Sequence, residues 1–272
     1  MTLSAIASQR VALVARHHWQ TPFALAIDGV ARQGVASLSH IRNFDDCLAF
    51  VDDLVHWAPR ECGDSRLVHD PLVAVYFILD QPPLLALQSP IQPSAGRPAL
   101  APLSQRMVRF AQSWGAFLDT PASARHVATF RTNPAFRWHD YMPPPSGYLT
   151  FNQFFARHVK PGCRPVAAAD DARVLVAPAD AVHRGVWPIA ADSTVDLKEI
   201  RWSVAQLLAD SALAGRFAGG VFTHGALRRG YFQFGGSDFV MLFDAQCQAT
   251  LTCDVDSHHL QGSAIGHCAQ AG

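Results

Sequence analysis

One short stretch of the sequence combines a nucleophile with unusual backbone freedom. The segment "FQFGGSDFVMLF", residues 232–243, has the aromatic and branched residues of a β-strand but is interrupted by Gly235-Gly236-Ser237-Asp238. Glycine inside a strand weakens it and marks a bulge or a place where another group approaches the backbone closely. A serine hydroxyl becomes a nucleophile when a neighbouring base takes its proton. The interruption therefore indicates that another group approaches the backbone next to Ser237.

Four segments that include this stretch occur in a recognisable order. They are "YLTFNQFFARHVKPGCRPV" (148–166), "VLVAPADAV" (174–182), "WSVAQLLADSALAGRFAGGVFTH" (202–224) and "FQFGGSDFVMLF" (232–243). Together they resemble the pyruvoyl-dependent phosphatidylserine decarboxylase family, including its soluble relatives that act on free aromatic amino acids such as tryptophan. Upstream, "RFAQSWGAFLDTPAS" (109–123) is similar to the accessory domain that precedes the decarboxylase domain in the amino-acid type. The resemblance thus covers most of the chain and is most specific after residue 146.

The resemblance implies a self-derived cofactor. In the family, the serine hydroxyl attacks the carbonyl of the preceding glycine, which here is Gly236, and the resulting ester eliminates to leave a pyruvoyl group in place of Ser237. The side-chain-free Gly236 lets the backbone strain enough for this approach. The products would be a long chain, 1–236, and a short chain, 237–272. The pyruvoyl ketone would form a Schiff base with a substrate amine and act as an electron sink when CO₂ leaves.

The resemblance also supplies a carboxylate. Asp180 in "PADA" matches the aspartate of the family's Asp-His-Ser triad, although Ala181 stands where the family usually has glycine. We therefore predict Asp180 and Ser237 as catalytic residues. The alternative for Asp180 is an aspartate that caps a turn after a strand.

The triad histidine has no direct counterpart. In the family, a Tyr-His-Arg-x-His segment supplies this histidine and much of the substrate pocket, but here "GGVFTH" (219–224) runs almost directly into "GALRRGYFQFGGSD" (225–238). His224 matches the histidine of "FTH" in the amino-acid type, and we predict it as the substitute base. His183, three residues after Asp180, is the second candidate. For each of them, an ordinary hydrogen-bonded histidine is the alternative.

The C-terminal segment "CDVDSHHLQGSAIGHC" (253–268) is rich in residue types that bind zinc. These residues are Cys253, His258, His259, His267 and Cys268. Their spacing fits no standard zinc motif, and the family-like His-x-x-Gly pattern and "AIG" explain the segment as a final strand and turn. We predict no metal site.

The elements that must position these residues change character along the chain. Residues 1–145 have helical patterns, whereas the later sequence, from the opening stretch near residue 148 onward, has strand patterns and one helix at about 203–217. Consecutive prolines in "MPPPSG" (142–147) fit neither a helix nor a central strand. We therefore predict an α+β chain with a helical accessory domain, 1–145, and an internally shortened, β-rich phosphatidylserine decarboxylase-like domain, 146–272.

Within the helical region, three elements are specific enough to test. Asn43 is predicted to cap a helix that Pro59 stops, with an apolar face of Phe44, Leu48, Val51 and Val55. A second helix is predicted to start at Ser104, with Met107, Phe110, Ala111, Trp114 and Leu118 on its apolar face, and a shorter one to follow Pro121. Residues 87–102 form a Pro- and Ser-rich loop.

Composition limits the classes of function. With 49% hydrophobic and 16% charged residues in 272, the chain can bury a substantial core, and zero formal net charge gives no sign of nucleic-acid binding. The six scattered cysteines contain no CxxC pair and are predicted to be reduced thiols of a cytoplasmic protein. The longest apolar run, 71–79, is far shorter than the about 20 residues of a transmembrane helix.

Two classes of function remain open at this point. The first is a pyruvoyl-dependent carboxy-lyase acting on phosphatidylserine, with peripheral contact to a membrane, or on a free L-amino acid. The second is a non-catalytic, internally truncated relative that serves as a scaffold or interaction protein. Loss of part of a sheet would leave strand edges that favour pairing with another copy, as a homo-oligomer, or with another chain.

Overall fold

The helical and strand-forming parts of the sequence fold as separate sets of elements, so the α+β class is confirmed. The computed structural model describes residues 16–34, 38–61, 66–89, 99–190, 192–197, 200–208, 211–226 and 238–269. The catalytic candidates Gly236 and Ser237 lie outside the described residues, as does most of the Pro-rich loop.

The chain divides into two compact units. One contains Met1–Pro134 and Pro143–Ala156, and the other contains Ala135–Met142 and Arg157–Gly272. Each unit therefore takes a short segment from the far side of the predicted boundary. The division into domains 1–145 and 146–272 stays a prediction.

The first unit is built from six described α-helices and one longer 3₁₀ segment. They are α1 (Gln20–Arg32), α2 (Phe44–Val55), α3 (Arg66–Leu79), α4 (Pro82–Leu85), α5 (Pro102–Leu118), the 3₁₀ segment Pro121–Arg131, and α6 (Phe151–Phe155). Its main core is an apolar cluster around α1, in which Ala26 and Leu84 are fully buried and Ile27 and Ile78 nearly so. The apolar run 71–79 lies in α3, and no helix among the described residues is long and apolar enough to cross a membrane.

Helix α2 begins as predicted, but its buried face differs from the predicted one. The side chain of Asn43 accepts a hydrogen bond from the backbone nitrogen of Asp46 (2.9 Å), which satisfies one of the free N–H groups of the first turn. Cys47 and Leu54 are the buried residues of the helix, whereas the predicted face is only partly buried. Burial raises the pKa of the Cys47 thiol to about 11, so this cysteine is a packing residue and not a nucleophile.

Helix α5 begins two residues before the predicted Ser104. Pro102 occupies the first turn, where a missing N–H costs nothing. Trp114 and Leu118 are buried as expected, and Trp114 Nε1 donates to the carbonyl oxygen of Trp57 (2.9 Å). The predicted short helix after Pro121 is present, with 3₁₀ geometry.

The stretch that opens the predicted second domain is helical, so the strand prediction there is wrong. Thr150 accepts a hydrogen bond from the backbone nitrogen of Gln153 (3.1 Å), and Gln153 Oε1 accepts one from the nitrogen of Leu149 (2.7 Å). This reciprocal capping starts α6 and outweighs the strand preference of the aromatic residues. Phe154 packs on the fully buried Phe130, with ring centroids 4.9 Å apart.

The second unit contains eleven described strands. They are β1 (Tyr141–Met142), β2 (His158–Val159), β3 (Val174–Val176), β4 (Ala181–Ile189), β5 (Thr194–Leu197), β6 (Ile200–Ser203), β7 (Gly220–Ala226), β8 (Asp238–Asp244), β9 (Ala249–Leu251), β10 (His258–His259) and β11 (Ala264–Cys268). A four-stranded antiparallel sheet has the order β10-β4-β7-β8, and a three-stranded one has the order β3-β11-β9. The strands β1 and β2 pair with each other, as do β5 and β6.

Several predicted elements of this unit can be compared with these strands. The predicted strands around "VLV" and "AVHRGVWPI" are confirmed as β3 and β4, and the second half of the interrupted strand is confirmed as β8. The helix predicted at about 203–217 is wrong in extent: α7 covers only Val204–Leu208, and a 3₁₀ turn covers Ala214–Phe217. The backbone nitrogen of Ser211 donates to the carbonyl oxygen of Leu208, three residues earlier, and not to a carbonyl four residues earlier as in an α-helix.

The prediction of six reduced cysteines is wrong for two of them. Cys247 and Cys268 form a disulfide, with Cα atoms 5.4 Å apart. The cause is the sheet: Cys268 pairs directly with Ala249 across β11 and β9, and Cys247 lies two residues before Ala249. Cys47, Cys163 and Cys253 are free thiols. The cytoplasmic location stays a prediction.

We expect the disulfide to protect its cysteines from alkylation. In denaturant without reductant, peptides containing Cys247 and Cys268 should stay unmodified, while Cys253 reacts and serves as the internal control. After reduction, both cysteines should react with the alkylating reagent. Reduction should also lower the free energy of unfolding by about 3 kcal/mol, because the bond closes a loop of roughly 20 residues. Mass spectrometry of the digested protein checks this, and labelling of Cys247 before reduction would contradict the bond.

Candidate acid–base site

Residues of all four strands lie in one row at one end of the four-stranded sheet, and this end is called the edge below. His258 pairs with Val182, Val182 pairs with Ala226, and Ala226 pairs with Asp238. Strands β4 and β8 run in the same direction, separated by β7, and both begin at this edge. With strands about 4.8 Å apart, the first residues of β4 and β8 lie roughly 10 Å from each other. Asp180, immediately before β4, therefore enters the sheet at the same edge as Asp238.

Asp180 is fixed at this edge by a buried arginine. Arg164 Nε donates to Oδ1 of Asp180 (2.8 Å) and Nη2 donates to Oδ2 (2.6 Å), a bidentate geometry. The backbone nitrogen of Gln261 also donates to Oδ1 (2.8 Å). Arg164 is 5% exposed, and its Nη1 donates to Asp140 Oδ2 and to the carbonyl oxygen of Cys163 (2.7 Å each).

These contacts determine the charge of Asp180. Burial by itself would raise the pKa of its carboxyl group, but the hydrogen bonds from Arg164 and Gln261, together with the positive charges of Arg164 and His258, lower the pKa below its ordinary value. The hydrogen bonds that Arg164 donates to the carboxylate of Asp180 raise the pKa of Arg164, which therefore stays protonated. An ionised carboxylate with a lowered pKa is a weak base. The geometry suits Asp180 to orienting a neighbouring group or stabilising a positive charge more than to accepting a proton.

The predicted base His224 lies in β7, on the face of the sheet that carries Trp187. Their rings stack with centroids 5.0 Å apart, and Trp187 stacks on Phe222 in the same way (5.3 Å). His224 pairs with Val240 of β8. The catalytic role of His224 stays a prediction.

The second candidate, His183, lies on the opposite face. His183 pairs with Gly225, and Gly225 pairs with Phe239. Paired residues of an antiparallel sheet point to the same face and successive residues to opposite faces, so His183 and His224 are separated by the sheet. His183 and Phe239 line a small cavity together with Thr223.

Sequence reasoning considered His258 and His259 only as metal ligands, whereas the structure brings both to this edge. His259 pairs with Ala181, the residue after Asp180, and His258 is close enough for its charge to lower the pKa of Asp180. In the described part of the chain, no group of three His, Cys, Asp or Glu side chains converges as a metal site. The His-x-x-Gly pattern at residue 259 was the available signal, but it gives no strand register.

This edge of the sheet thus combines an ion-paired carboxylate with histidines on both faces of the adjoining strands. Asp180 belongs to it, and the described residue next to Ser237 begins a strand there. Gly236 and Ser237 themselves lie outside the described residues, so the triad stays a prediction.

Comparison with known proteins finds similarity in part of the chain. Residues 151–228 match the family model described as phosphatidylserine decarboxylase. A phosphatidylserine decarboxylase proenzyme of Anaeromyxobacter sp. (strain K) is 43% identical over 75 residues, which are 28% of this chain and 26% of that protein. The proenzyme of Chromobacterium violaceum is 38% identical over 126 residues, 46% of this chain and 42% of that protein. The phosphatidylserine decarboxylase proenzyme 3 of Schizosaccharomyces pombe is 35% identical over 106 residues, which are 39% of this chain and 11% of that protein.

The segment that is similar to phosphatidylserine decarboxylases contains Arg164, Asp180, His183 and His224. The chain spans less than half the length of each of these relatives. The resemblance to decarboxylases of free aromatic amino acids stays a prediction.

We expect Asp180→Asn to lower the free energy of unfolding by about 1–3 kcal/mol at neutral pH, because Arg164 loses a charged, bidentate partner. Asp180 has a lowered pKa in the folded state, so its ionisation stabilises the fold above the ordinary value of 3.8 and this stabilisation is lost as the pH falls through the folded-state pKa. The stability difference between wild type and variant should narrow as the pH falls below about 4.

The matched control is Asp171→Asn, which breaks an ion pair to Arg173 that is largely solvent-exposed. Solvent screens such pairs, so the free energy of unfolding of this variant should be close to that of wild type at neutral pH. Urea titrations at several pH values check both variants. Equal losses in the two would contradict the role given to Arg164.

Proposed function

We propose that this chain is the proenzyme form of a pyruvoyl-dependent decarboxylase that cleaves itself between Gly236 and Ser237. The observation that carries the proposal is the common origin of β4 and β8 at one sheet edge, where Asp180 is held by Arg164 and where Asp238 follows Ser237. Support also comes from the family match over residues 151–228 and from the proenzyme names of the relatives.

The proposed cleavage uses only groups of the chain and water. The hydroxyl of Ser237 loses its proton, Oγ forms a bond to the carbonyl carbon of Gly236, and the carbon–nitrogen bond breaks as the nitrogen takes a proton. A second proton transfer, from Cα of residue 237, breaks the Cβ–Oγ bond and releases Gly236 as a carboxylate. Water then adds to the remaining unsaturated residue, and its nitrogen leaves as ammonia. A pyruvoyl group remains.

The residues described around the edge fit such a group. Asp180 is a negative charge held by Arg164 at the sheet edge where β8 also begins, two strand spacings away, and such a fixed charge would stabilise a cation that forms at this edge. A pyruvoyl group formed at position 237 would supply a carbonyl for the substrate amine and an electron sink for the pair left when CO₂ departs.

Two substrate classes fit this chemistry, because both present a primary amine on the carbon that carries the carboxylate. The names of the relatives support the serine head group of phosphatidylserine. The resemblance of the N-terminal region to an accessory domain, and the Gly-Gly-Ser-Asp sequence, support a free L-amino acid such as tryptophan. The second candidate function, a non-catalytic relative acting as a scaffold or interaction protein, is favoured by the absence of the family's Tyr-His-Arg-x-His segment.

We expect the purified protein to consist of two chains, 1–236 and 237–272, the second blocked at its N-terminus by the pyruvoyl group. Intact-mass measurement under reducing conditions distinguishes them from a single chain of 29.6 kDa. Ser237→Ala should remain uncut, since it has no hydroxyl to attack with. A single uncut wild-type chain would favour the non-catalytic relative, and a cut Ser237→Ala chain would point to an ordinary protease.

Cleaved protein should release CO₂ from one of the two substrate classes. The assay compares phosphatidylserine in mixed micelles with free L-tryptophan, using the Ser237→Ala variant as the control for background release. Treatment with hydroxylamine or borohydride should abolish activity, because both consume a ketone carbonyl. CO₂ release that survives these reagents would rule out the pyruvoyl mechanism.

A further inference from the structure

Strand β8 is the outermost strand of the four-stranded sheet. On one side it pairs with β7 along seven residues. Among the described residues, no strand pairs with its other side, and no hydrogen bond from another element reaches the backbone of Phe239–Phe243 there. Successive residues of a strand direct their N–H and C=O groups to opposite sides, so about half of β8 presents these groups outward. The outer side of β8 can therefore accept one more strand.

Strand β8 lacks the features that usually block such pairing. Proteins protect an outermost strand with charged residues, proline, a bulge or a short length. Residues Phe239–Phe243 contain no charge, proline or glycine, their side chains are partly buried, and the ladder with β7 has no register shift. The outermost strands β10, β3 and β9 of the two larger sheets have only two or three residues each. Within the described part of the chain, β8 is thus the outer strand that needs a partner most.

The order of residues in β8 indicates what the partner is. The strand reads Asp-Phe-Val-Met-Leu-Phe-Asp, which is nearly the same in both directions around Met241. If two copies pair antiparallel with Met241 opposite Met241, Phe239 faces Phe243 and Val240 faces Leu242 in both halves of the ladder. A twofold interface requires a surface that matches itself in this way. Paired aromatic residues are also among the favourable cross-strand pairs of antiparallel sheets.

We propose that β8 is the contact surface of a homodimer, in which it pairs antiparallel with β8 of a second copy about a twofold axis at Met241. The two four-stranded sheets then form one continuous sheet. Val240 and Leu242 already pack on the apolar cluster that contains Phe222. Because paired residues lie on the same face of a sheet, the Leu242 and Val240 side chains of the second copy extend this cluster. The proposal does not depend on the proposed function.

The ends of the strand limit the strength and the size of the assembly. Asp244 faces Asp238 of the second copy, and like charges opposite each other destabilise a ladder. Arg216 Nη2 lies 2.5 Å from Oδ2 of Asp244 and offsets this charge. One strand pair is small beside the roughly 1,200 Å² that stable, specific interfaces bury. We therefore expect a reversible dimer, and the two-residue β10 on the far side of the sheet offers no comparable surface for further growth.

The first test is the molar mass of the full-length protein in solution. Between about 1 and 100 µM, sedimentation equilibrium should show the mass rising from 29.6 kDa towards twice that value. The Ser237→Ala chain should behave in the same way, so a failure of self-cleavage does not affect the result. A mass that stays at one chain up to the highest concentration would overturn the proposal.

A charge at the axis should break the dimer. Met241→Lys places two ammonium groups opposite each other and should weaken association by about 100-fold or more. The matched control is Thr250→Lys, which adds the same charge at an exposed residue of β9 in the other sheet and should associate like wild type. Circular dichroism and urea titration compare the folding of the two variants. Wild-type association of Met241→Lys, or an equal loss in Thr250→Lys, would contradict the proposed contact.

Crosslinking tests the register without adding a charge. In Met241→Cys the two new Cβ atoms face each other about 5 Å apart, so a mild oxidant should join two chains. In Phe239→Cys the two new thiols are separated by four residues along the ladder, roughly 14 Å, and should not be joined. Wild type under the same oxidant measures the contribution of the native thiols. Crosslinking of Phe239→Cys in preference to Met241→Cys on a non-reducing gel would overturn the pairing about Met241.

Discussion

The second unit depends on one buried arginine shared by two carboxylates. Arg164 joins Asp140, which lies just before β1, to Asp180, which lies just before β4, and its side chain is 5% exposed. A buried guanidinium that loses a partner carries an uncompensated charge, which costs far more than a surface ion pair contributes. The contact therefore constrains where β4 starts. Because β4 is the strand on which β10 and β7 are registered, and β8 is registered on β7, the position of every residue at the edge follows from that start.

Local signals in the sequence were sufficient for many elements and insufficient for the site. Asn43 begins its helix and the apolar stretch around Val182 forms its strand, because capping and β-branched residues act over a few neighbours. The partner of Asp180 lies sixteen residues away, and nothing in the spacing of the two singles out an ion pair. The reciprocal caps of Thr150 and Gln153 were a readable signal that overrides aromatic strand preference. The Cys247–Cys268 bond follows from the register of β9 and β11, and the spacing of cysteines in the sequence does not reveal that register.

His183 and His224 lie on opposite faces of the sheet, and the sequence alone does not show which face each of them occupies. His224 is nearer to Ser237 along the chain, yet strand register aligns His183 with Phe239 and sets His224 against Trp187 on the other face. A shift of one residue in the pairing would exchange the two faces. The register is held by the β4–β7 ladder, which is irregular between His183 and Val186 and regular from there to Ile189. The side of the sheet on which a base can act is thus a property of pairing between strands about forty residues apart.

The absence of the family's histidine-containing segment is compatible with an intact sheet. Strands β7 and β8 pair along seven consecutive residues, from Gly220 opposite Asp244 to Ala226 opposite Asp238, and antiparallel neighbours need only a short connection. The segment would belong between these strands, so its loss shortens a connection without removing a partner from the ladder. Self-cleavage is intramolecular and requires a hydroxyl, a carbonyl and a base, whereas substrate binding requires a pocket. The edge at which Asp180 lies bears on the first requirement alone, so the proposed self-cleavage and the proposed substrate turnover can be tested separately.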